Sequence, residues 1–508
     1  METIFILAGA SAILTLIYYY LTHAYGYWEK QGVPIIKGAI PGIGNIGPML
    51  LMQKNFPILY RDFYNKTPAY SMVGFYAMRK PALLLKDPEL VKSVLQVNFS
   101  SFHDNEMTVD PKLDPLMAAN PFFLKGEPWK NTRKQLSSAF SSSKLKSTWR
   151  NVDNACSELT NYLREKIPEK LDSLEMEMKA LFSRYTSEVV ATAAFGVEGG
   201  SFKIEKEGAF REVGKKMFDP TFTKGIIQLI VFFIPSLGKF LKISFTPPDV
   251  DKFFRNIVRE VLKYRENENI EGKDFLQILI NLKKSGSNDH AFGTEFNEDT
   301  ITSHVFSFFL DMYESSSITL TFLSYNLAKY QDIQQRVRDE VQNVIEKHGG
   351  LTYDALQEMT YLDKVIQESL RLNPTLGALI KVCTTATDLE GSDGIKCHVS
   401  TGTPVIIPVC GLQMDPQYWP DPEKFDPERF SDENKQKRNK FLWLPFGEGP
   451  RVCVGMRIAL LIMKAGIATM LNHFTLEVSP RVKEPLQLDP NYFLSSVAGG
   501  MWIKIKRL

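Results

Sequence analysis

This chain of 508 residues has little cysteine, little net charge and no long tract of low complexity. Its five cysteines are too few for a disulfide framework, and their odd number leaves at least one of them unpaired. Sixty basic residues against 58 acidic ones give a formal net charge of +2, which excludes a strongly basic nucleic-acid-binding chain. The apolar fraction of 44% and the charged fraction of 23% exclude a disordered or collagen-like chain. We therefore expect a large globular protein that is kept in a reducing environment.

The N-terminal region lacks charge, because no Asp, Glu, Lys or Arg occurs in residues 3–28. Within this region Thr3–Tyr20 is almost wholly apolar, and a helix of that length spans about 27 Å, close to the hydrocarbon thickness of a membrane. A cleaved signal peptide or a buried helix is the alternative, but a signal peptide would have a basic start and a shorter apolar core. We predict a retained membrane anchor over 1–28. Lys30 and Lys37 follow it, and this charge bias favours a cytosolic body.

A connector rich in Gly and Pro follows the anchor. Eight of the 17 residues in the range 32–48 are Gly or Pro, a composition that cannot continue a helix. We therefore predict a stiff, turning hinge over 29–50. The remainder, 51–508, is predicted to be a single large body.

Hydrophobic periodicity predicts a protein that is mostly α-helical with a minor β part. Helical patterns dominate from about residue 130 to 372, and residues 373–445 are rich in Pro, Asp and Gly with short β-type runs. A last helix is predicted over Met456–His473, and a surface loop over Ser285–Asn288. The apolar run Ile226–Ile234 is too short to span a membrane, so it is either an interfacial segment or a buried core helix.

A long helix is predicted over Thr300–Lys329, with apolar residues around most of its circumference. Two acids, Asp311 and Glu314, interrupt it, and their i, i+3 spacing predicts one shared face. Buried carboxylates are costly unless they have partners, water or a chemical role. The alternative is that this face lies at the surface. The apolar neighbours on both sides favour an interior position.

The segment Phe446–Gly455 places a single cysteine, Cys453, between a glycine-rich loop and the last helix. The helix N-terminus and the neighbouring Arg451 predict a thiolate with a low pKa. Glycines let backbone N–H groups approach the sulfur, and Phe446 can shield it from water. Such a thiolate suits a soft or borderline metal. A nucleophilic or redox cysteine is the alternative, although no second cysteine stands at CxxC or CxxxC spacing.

The same segment, FGEGPRVCVG, matches F-x-x-G-x-R-x-C-x-G and so resembles the haem-ligand signature of the cytochrome P450 family. Glu368 and Arg371 resemble the family's E-x-x-R pair, and Arg429 follows at the family's distance. The resemblance extends from about residue 30 to the C-terminus. It implies a helix-rich cytochrome P450 fold with an N-terminal transmembrane helix, and haem b with Cys453 as the axial thiolate. It also implies that Glu368, Arg371 and Arg429 form a charge network behind the haem.

Other residues resemble positions of the family that contact the haem. Trp129 and Arg133 match W-x-x-x-R, and their i, i+4 spacing puts both on one helix face, from which they can reach a propionate. Lys381 stands where relatives often have Arg, and it keeps the charge without the bidentate fork. The resemblance implies these cofactor-binding residues: Trp129, Arg133, Lys381, Phe446, Gly449, Arg451 and Gly455.

The long helix departs from the family's usual [Ala/Gly]-Gly-x-[Asp/Glu]-[Thr/Ser]. Asp311 and Met312 replace the small residues, whereas Glu314 and Ser315 keep the acid and the alcohol. We expect Met312 to fill the room that the Gly position leaves beside the oxygen site, and Asp311 to place a carboxylate near the substrate. The resemblance implies that Glu314 and Ser315 relay protons. The predicted catalytic residues are therefore Glu314, Ser315 and Asp311.

The resemblance implies an NADPH-dependent monooxygenase of the microsomal, insect type, acting on xenobiotics or secondary metabolites. One oxygen atom of O2 would enter a small apolar substrate. Electrons would come from a membrane-bound NADPH–cytochrome reductase, with cytochrome b5 as a further candidate partner. The catalytic domain would face the cytosol from the endoplasmic reticulum membrane, and no nucleic-acid partner is expected. Family position implies a pocket formed by Phe102, Met117, Phe222, Leu310, Leu376, Leu379 and Val497.

Two other functions stay open on the sequence. One is a haem-thiolate isomerase or dehydratase that acts without a reductase, an alternative that the altered Asp311-Met312 segment favours. The other is a non-catalytic haem carrier or ligand sensor. Consumption of NADPH in the presence of a reductase separates the monooxygenase from both.

Overall fold

A computed structural model describes residues 1–203, 207–284 and 297–508. The surface loop predicted over Ser285–Asn288 lies outside the described residues. The chain divides into two compact units. The first comprises Met1–Glu106, Leu376–Trp419 and Asn439–Val452, and the second comprises Met107–Thr375, Pro420–Arg438 and Cys453–Leu508.

Helices dominate the described residues. The α-helices are α1 Glu2–Thr22, α2 Gly47–Leu50, α3 Phe56–Lys66, α4 Pro88–Lys92, α5 Pro115–Ala118, α6 Gly126–Ala139, α7 Ser142–Lys166, α8 Met178–Val190, α9 Ala209–Phe218, α10 Phe222–Phe233, α11 Pro235–Leu241, α12 Pro248–Asn267, α13 Phe275–Lys284, α14 Glu298–Lys329, α15 Gln331–His348, α16 Tyr353–Glu358, α17 Thr360–Leu372, α18 Val409–Leu412, α19 Asp432–Lys437 and α20 Met456–His473. Short 3-10 helices occupy Glu29–Gln31, Phe99–Ser101, Pro427–Phe430, Lys440–Leu442 and Gly449–Arg451, and π-helices occupy Ser93–Val97 and Ala191–Phe195.

The strands form three small sheets, each within one unit. They are β1 Met72–Ala77, β2 Lys80–Leu85, β3 Asp104–Asn105, β4 Leu174–Glu177, β5 Leu379–Val382, β6 Thr387–Glu390, β7 Lys396–Val399, β8 Pro404–Ile407, β9 Phe474–Val478 and β10 Trp502–Arg507. The sheet orders are β1-β2-β8-β5-β3, β4-β10-β9 and β6-β7. The prediction of a helix-rich fold with a minor β part is confirmed.

The five-stranded sheet forms the core of the first unit. Its pairs are antiparallel except for β2 and β8, which run parallel. Leu83 and Leu84 of β2 pair with Val405 and Ile406 of β8, and all four side chains are buried. Continuous apolar runs in both strands explain this burial on the two faces of the sheet.

The connector rich in Gly and Pro packs onto β1. The N–H of Ile36 donates to the carbonyl of Gly74 at 2.9 Å, and the N–H of Asn45 donates to the carbonyl of Tyr76 at 2.7 Å. Trp28 is fully buried, and a Cβ placed on Gly74 would lie 2.3 Å from its ring. Only glycine allows this close approach, so the predicted hinge is docked onto the sheet of the first unit along much of its length.

Helix α1 has no buried residue and a mean hydropathy of 2.0 over its most apolar window. Among the described residues it is the one continuous helix that is long and apolar enough to cross a membrane. This agrees with the predicted anchor, whose apolar part it matches.

Helices α10 and α11 meet at a bend of 114°. Phe222, Phe240 and Leu241 are 67%, 81% and 50% exposed, whereas Val231 and Phe232 are buried. Neither prediction for the run 226–234 is therefore complete, because one side of the helix pair packs into the core and the other is open.

Helix α14 is the central helix of the second unit. It begins where the side chain of Asn297 accepts a hydrogen bond from the N–H of Thr300, and it continues for 32 residues to Lys329. Apolar residues surround most of it, so it lies inside the unit against α5, α8 and α20, as its pattern predicts. Helix α20 occupies the predicted range Met456–His473.

Candidate functional site

Cys453 differs from the other four cysteines in its accessibility. Cys156, Cys383, Cys397 and Cys410 are buried, whereas Cys453 is exposed. It lies in the second unit, just before α20 begins. An accessible thiol is the only kind that can bind an external group without rearrangement of the protein.

Protein atoms nevertheless surround the Cys453 thiol. Burial raises the pKa of this thiol to about 11, and the N–H of Gly455, the Arg133 guanidinium and the N–H of Met456 oppose that rise while Asp311 adds to it. The predicted low pKa is thus wrong for the protein alone, because desolvation outweighs the helix N-terminus. A coordinated metal deprotonates a thiol outright, so the two N–H groups remain suitable donors to the thiolate.

Arg451 is not directed at the thiol. In the first unit its guanidinium donates to the carbonyl of His103 and, at 3.1 Å, to the carboxylate of Asp104. This pairing corrects the prediction that Arg451 adds positive charge to the sulfur, because its charge is directed to the short strand β3. The effect is to hold the glycine-rich loop onto that strand.

Lys381 lies in the same part of the first unit. It is buried on β5 and donates to the side chain of Asn105 at 3.0 Å. Burial lowers the pKa of Lys381 well below its ordinary value, Arg451 lowers it further by repulsion, and Asp104 opposes both. An added anionic group such as a haem propionate would relieve the repulsion between the two cations.

The glycine-rich loop makes a contact that only glycine permits. Gly449 has φ +77°, and a Cβ there would lie 2.0 Å from the carbonyl oxygen of Leu95. Phe446 contacts Trp443 edge-on, with ring centroids 6.3 Å apart. Both observations concern the first unit, and they explain why a Gly and an aromatic residue stand at these positions.

The structure brings Glu368, Arg371 and Arg429 together in the second unit. Arg371 donates to the two carboxylate oxygens of Glu368 at 2.7 and 2.9 Å, and Nε of Arg429 lies 3.4 Å from the same carboxylate. Arg371 also donates to the carbonyls of Pro422 and Lys424. Glu368 and Arg371 are fully buried, and a buried ion pair is tolerated because its hydrogen-bonding groups have partners.

Trp129 and Arg133 share one face of α6 in the second unit. Trp129 is buried, with 8% of its surface exposed. Burial lowers the pKa of Arg133, and the nearby Cys453 opposes this shift. The guanidinium therefore lies close enough to Cys453 to interact with it electrostatically.

Asp311 on α14 lies close enough to Cys453 to interact with it electrostatically. Asp311 is exposed, and its carboxylate accepts hydrogen bonds from the side-chain amide of Asn120 at 3.0 and 3.2 Å. Burial among protein atoms raises the pKa of Asp311 to about 7, and the Asn120 amide opposes the rise. One turn later, the hydroxyl of Ser315 donates to the Asp311 carbonyl. Asp311 and Ser315 are thus neighbours on one side of α14.

Glu314 has a different environment. Its Oε1 lies 2.9 Å from Nζ of Lys179 on α8 and accepts a hydrogen bond from the hydroxyl of Tyr492 at 2.6 Å. The carboxylate is 1% exposed, and its Oε2 has no hydrogen-bond partner among the described residues. Asp311 and Glu314 are three residues apart on the continuous helix α14, but their carboxylates contact different elements.

The residues implied for the substrate pocket are distributed over both units. Phe102 is buried and Leu376 and Leu379 are half-buried in the first unit; in the second unit Met117 is buried and Leu310 and Val497 are half-buried. Phe222 differs from them, since it is 67% exposed at the start of α10 and has no enclosed surroundings in this structure.

Three residues of this region were not identified from the sequence. Asn120, Lys179 and Tyr492 lie far along the chain from the helix whose carboxylates they contact. No local motif marks them, because their proximity comes from the packing of α5, α8 and the C-terminal segment around α14.

Comparison with known proteins agrees with the signature. The family model described as cytochrome P450 matches residues 38–502. Cytochrome P450 6a2 of Drosophila melanogaster is 33% identical, over 99% of this chain and 99% of that protein. Cytochrome P450 6k1 of Blattella germanica is 34% identical over 94% and 92%, and cytochrome P450 9e2 of the same species is 34% identical over 100% and 98%.

Proposed function

This chain belongs to the cytochrome P450 family of haem-dependent monooxygenases, and from that premise we propose that Cys453 is the axial ligand of its haem b. The accessible thiol of Cys453 carries this proposal, because the other four cysteines are buried. The N–H groups of Gly455 and Met456 suit a thiolate. Once bound, the haem supplies the oxygen chemistry, and a thiolate ligand favours cleavage of the O–O bond.

Substitution of the ligand tests this assignment. Cys453→Ala should abolish the thiolate-type Soret band of the reduced, CO-bound protein, whereas Cys410→Ala, which removes a buried thiol, should retain it. If Cys453→Ala kept the band of the wild type, the assignment would be wrong. Haem content is measured in parallel, so that loss of the ligand is distinguished from loss of folding.

Positive and aromatic groups would hold the rest of the haem. Trp129 and Arg133 suit this role because they share a face of α6, and Arg133 interacts electrostatically with Cys453. By their positions in the family's motifs, Lys381 and Arg451 would contact the haem propionates. The repulsion between the charges of these two residues within the first unit supports this role, because an anionic propionate would relieve it. Phe446, Gly449 and Gly455 would shape the loop.

Three polar residues of α14 would have different roles in the reaction: Ser315, Glu314 and Asp311. Ser315 lies beside Asp311, and its hydroxyl can pass a proton towards the oxygen site. Glu314 is fixed by Lys179 and Tyr492 through one oxygen, which leaves its other oxygen able to hold a proton. Asp311, which is exposed, would contact the substrate.

We propose NADPH, delivered through a membrane-bound cytochrome reductase, as the electron source, with cytochrome b5 as a further candidate. The substrate class would be small apolar xenobiotics or secondary metabolites. The test is NADPH consumption by the purified protein with reductase, measured together with product oxygen from 18O-labelled O2. Labelled product supports the proposal, and turnover of a hydroperoxide or oxime without NADPH would instead support the isomerase or dehydratase. The latter stays a second candidate because Met312, which is buried, occupies the position where the family has Gly.

The location would be the endoplasmic reticulum membrane, with a single anchor and a cytosolic body. Helix α1 supports the anchor by its length and hydropathy. The exposed Phe240 and Leu241 of α11, flanked by Lys239 and Lys242, support a second, interfacial contact. Deletion of residues 2–22 should weaken membrane association, and Phe240→Ser in that deletion should release the protein further. A deletion variant that sediments with membranes as the full chain does would contradict the anchor.

A further inference from the structure

The end of the anchor helix α1 is fastened to the first unit. The N–H of Gly42 donates to the carbonyl of Leu21 at 3.2 Å. The hydroxyl of Tyr25, just after the helix, donates to the carbonyl of Ile40 at 2.7 Å and lies 3.0 Å from that of Met78. These contacts join α1, the connector and the turn between β1 and β2, all of which belong to the first unit. The direction of α1 therefore decides which surface of this unit lies next to the bilayer.

Arg79, in the turn between β1 and β2, is a cation without an acidic partner. Its guanidinium carbon lies 3.6 Å from the centre of the Tyr20 ring, in the last turn of α1. Arg79 is half-buried, and its Nε has no hydrogen-bond partner. In the parts of the chain that the structure describes, no carboxylate forms an ion pair with it. Stacking on the ring fixes the plane of the guanidinium, so that its terminal N–H groups can meet an anion such as a phosphate.

Apolar side chains close to the end of α1 are exposed. Ile40 and Ile43 of the connector are 51% and 37% exposed, and Leu51, just after α2, is 69% exposed. Gly47 links them, because a Cβ placed on it would lie 3.4 Å from the side chain of Ile43 and 3.8 Å from that of Ile40. Its carbonyl accepts from the N–H of Leu51 at 2.9 Å. We call Ile40, Ile43 and Leu51 the apolar patch. Apolar surface beside a membrane-spanning helix suits the boundary between lipid headgroups and acyl chains.

The same stretch of sequence is strongly basic. Residues 30–86 contain eight Lys or Arg residues and a single acid, Asp62, although the whole chain has a formal net charge of +2. Such charge after an anchor also orients the anchor during membrane insertion, so composition alone does not define a site. It does make this surface attractive to a bilayer that contains anionic lipids.

We propose that the first unit contains a binding site for an anionic phospholipid, in which Arg79, stacked on Tyr20, binds the lipid phosphate and the apolar patch contacts the acyl chains. The continuity of this surface with α1 identifies the ligand as a lipid, since a phosphate held at the end of a membrane-spanning helix is that of a phospholipid headgroup. The inference rests on the proposed membrane location. It goes beyond a single anchor, because it fixes one surface of the first unit on the bilayer and names the class of lipid.

The site is tested on the full-length holoenzyme in vesicles of about 80% phosphatidylcholine and about 20% phosphatidylserine. Electron paramagnetic resonance with spin-labelled phosphatidylserine and phosphatidylcholine gives the relative affinity of the protein for the two lipids. We expect the wild type to prefer phosphatidylserine, and Arg79→Gln to lower that preference about fivefold. Lys80→Gln is the matched control, because it removes the same charge from the exposed neighbouring residue. It should lower the preference less than about twofold, since salt screens an exposed charge.

Two further variants distinguish a built site from diffuse attraction. Arg79→Lys keeps the charge but loses the planar fork, and Tyr20→Leu removes the ring on which Arg79 stacks. Both should lower the preference for phosphatidylserine, although neither changes the net charge. Equal losses in Arg79→Gln and Lys80→Gln, or a full preference in Arg79→Lys and Tyr20→Leu, would overturn the site in favour of diffuse surface charge.

A fluorescent label measures the position of the apolar patch. Leu51→Cys, labelled with nitrobenzoxadiazole in the same vesicles, should be quenched by lipids that carry a doxyl group on the upper acyl chain. Tyr70→Cys is the control, because Tyr70 is also exposed but lies before β1, whereas Arg79 lies after it, and the length of that strand is about 20 Å. Its label should not be quenched, and the unsubstituted protein gives the labelling blank. An unquenched label at Leu51 would overturn the contact of the patch with acyl chains.

Flotation of the full-length protein with the vesicles separates this inference from the proposed location. Protein that does not float with the vesicles would contradict the proposed membrane location and, with it, the lipid site. Protein that floats but has no preference for phosphatidylserine would contradict the lipid site alone. The reduced, CO-bound spectrum of each variant is recorded alongside, so that a change in lipid preference is compared only among proteins that fold with their haem.

Discussion

Asp311 and Glu314 are carboxylates of the same helix, yet one has a cationic partner and the other has only a neutral one. Both acids lie near the middle of α14, three residues apart. Glu314 is enclosed by a cation from α8 and a phenol from the C-terminal segment. Asp311 accepts hydrogen bonds from a side-chain amide and is exposed. The difference teaches that the partner supplied by a distant segment, and not the spacing along the helix, decides whether a carboxylate is structural or available to a ligand.

The largest effect is expected from neutralising the compensated acid. Glu314→Gln leaves the ammonium of Lys179 without its charge partner in a mostly buried position, so the free energy of unfolding should fall by about 3 kcal/mol. Denaturant unfolding followed by circular dichroism measures this. Glu298→Gln, at the exposed start of the same helix, is the matched control and should cost less than about 1 kcal/mol. Equal losses in the two variants would contradict the structural role of Glu314.

A moderate effect is expected at the residue between the two acids. Met312→Gly should remove the side chain that fills the Gly position of the family, and so raise NADPH-dependent turnover or admit larger substrates. The ratio of turnover between a substrate and a homologue that is longer by one or two methylenes should change about tenfold, because the removed side chain has a similar volume. Met312→Leu conserves volume and serves as the control. Unchanged turnover and selectivity in Met312→Gly would count against the filling role.

A smaller effect is expected in the pH dependence of stability. The pKa of Asp311 rises from its ordinary value of 3.8 to about 7 on folding, so the stability that its protonated form contributes is lost as pH rises through about 7. Asp311→Asn cannot ionise and should show a weaker fall in melting temperature between pH 5 and 8 than the wild type. Parallel melting curves in the two proteins would show that Asp311 is not desolvated.

The smallest effect is expected when the amide beside Asp311 is removed. The Asn120 side chain lowers the pKa of Asp311 by donating to its ionised form. Asn120→Ala should therefore raise the pH at which the carboxylic acid of Asp311 ionises, which the loss of its infrared C=O band with rising pH measures. A midpoint that stays the same or falls would mean that Asn120 does not orient the carboxylate.

Patterns within short segments of the sequence predicted the helices and the contacts between residues that are one helical turn apart. The range Met456–His473 was predicted for the last helix because a glycine-rich loop precedes one continuous apolar pattern. Glu368 and Arg371 are one helical turn apart on α17, so their contact follows from spacing. The W-x-x-x-R pattern likewise placed Trp129 and Arg133 on one face of α6.

Interactions between distant segments were not predictable in this way. The partners of Asp311 and Glu314, the direction of Arg451 and the exposure of Phe222 all depend on which elements pack together. The low pKa expected for Cys453 failed for a related reason, because enclosure by protein atoms outweighs the nearby N–H groups. The connector that we predicted as a hinge packs onto β1, and that contact depends on a glycine of the strand itself.

The most direct test of the difference between the two acids is infrared difference spectroscopy of the holoenzyme between pH 6 and pH 8. We predict a carboxylic-acid C=O band that disappears as pH rises through about 7, in line with the raised pKa of Asp311. This band should be absent from Asp311→Asn and present in Glu314→Gln. A band that persists in Asp311→Asn, or no titrating band in the wild type, would contradict the claim that Asp311 is the carboxylate of α14 without a cationic partner.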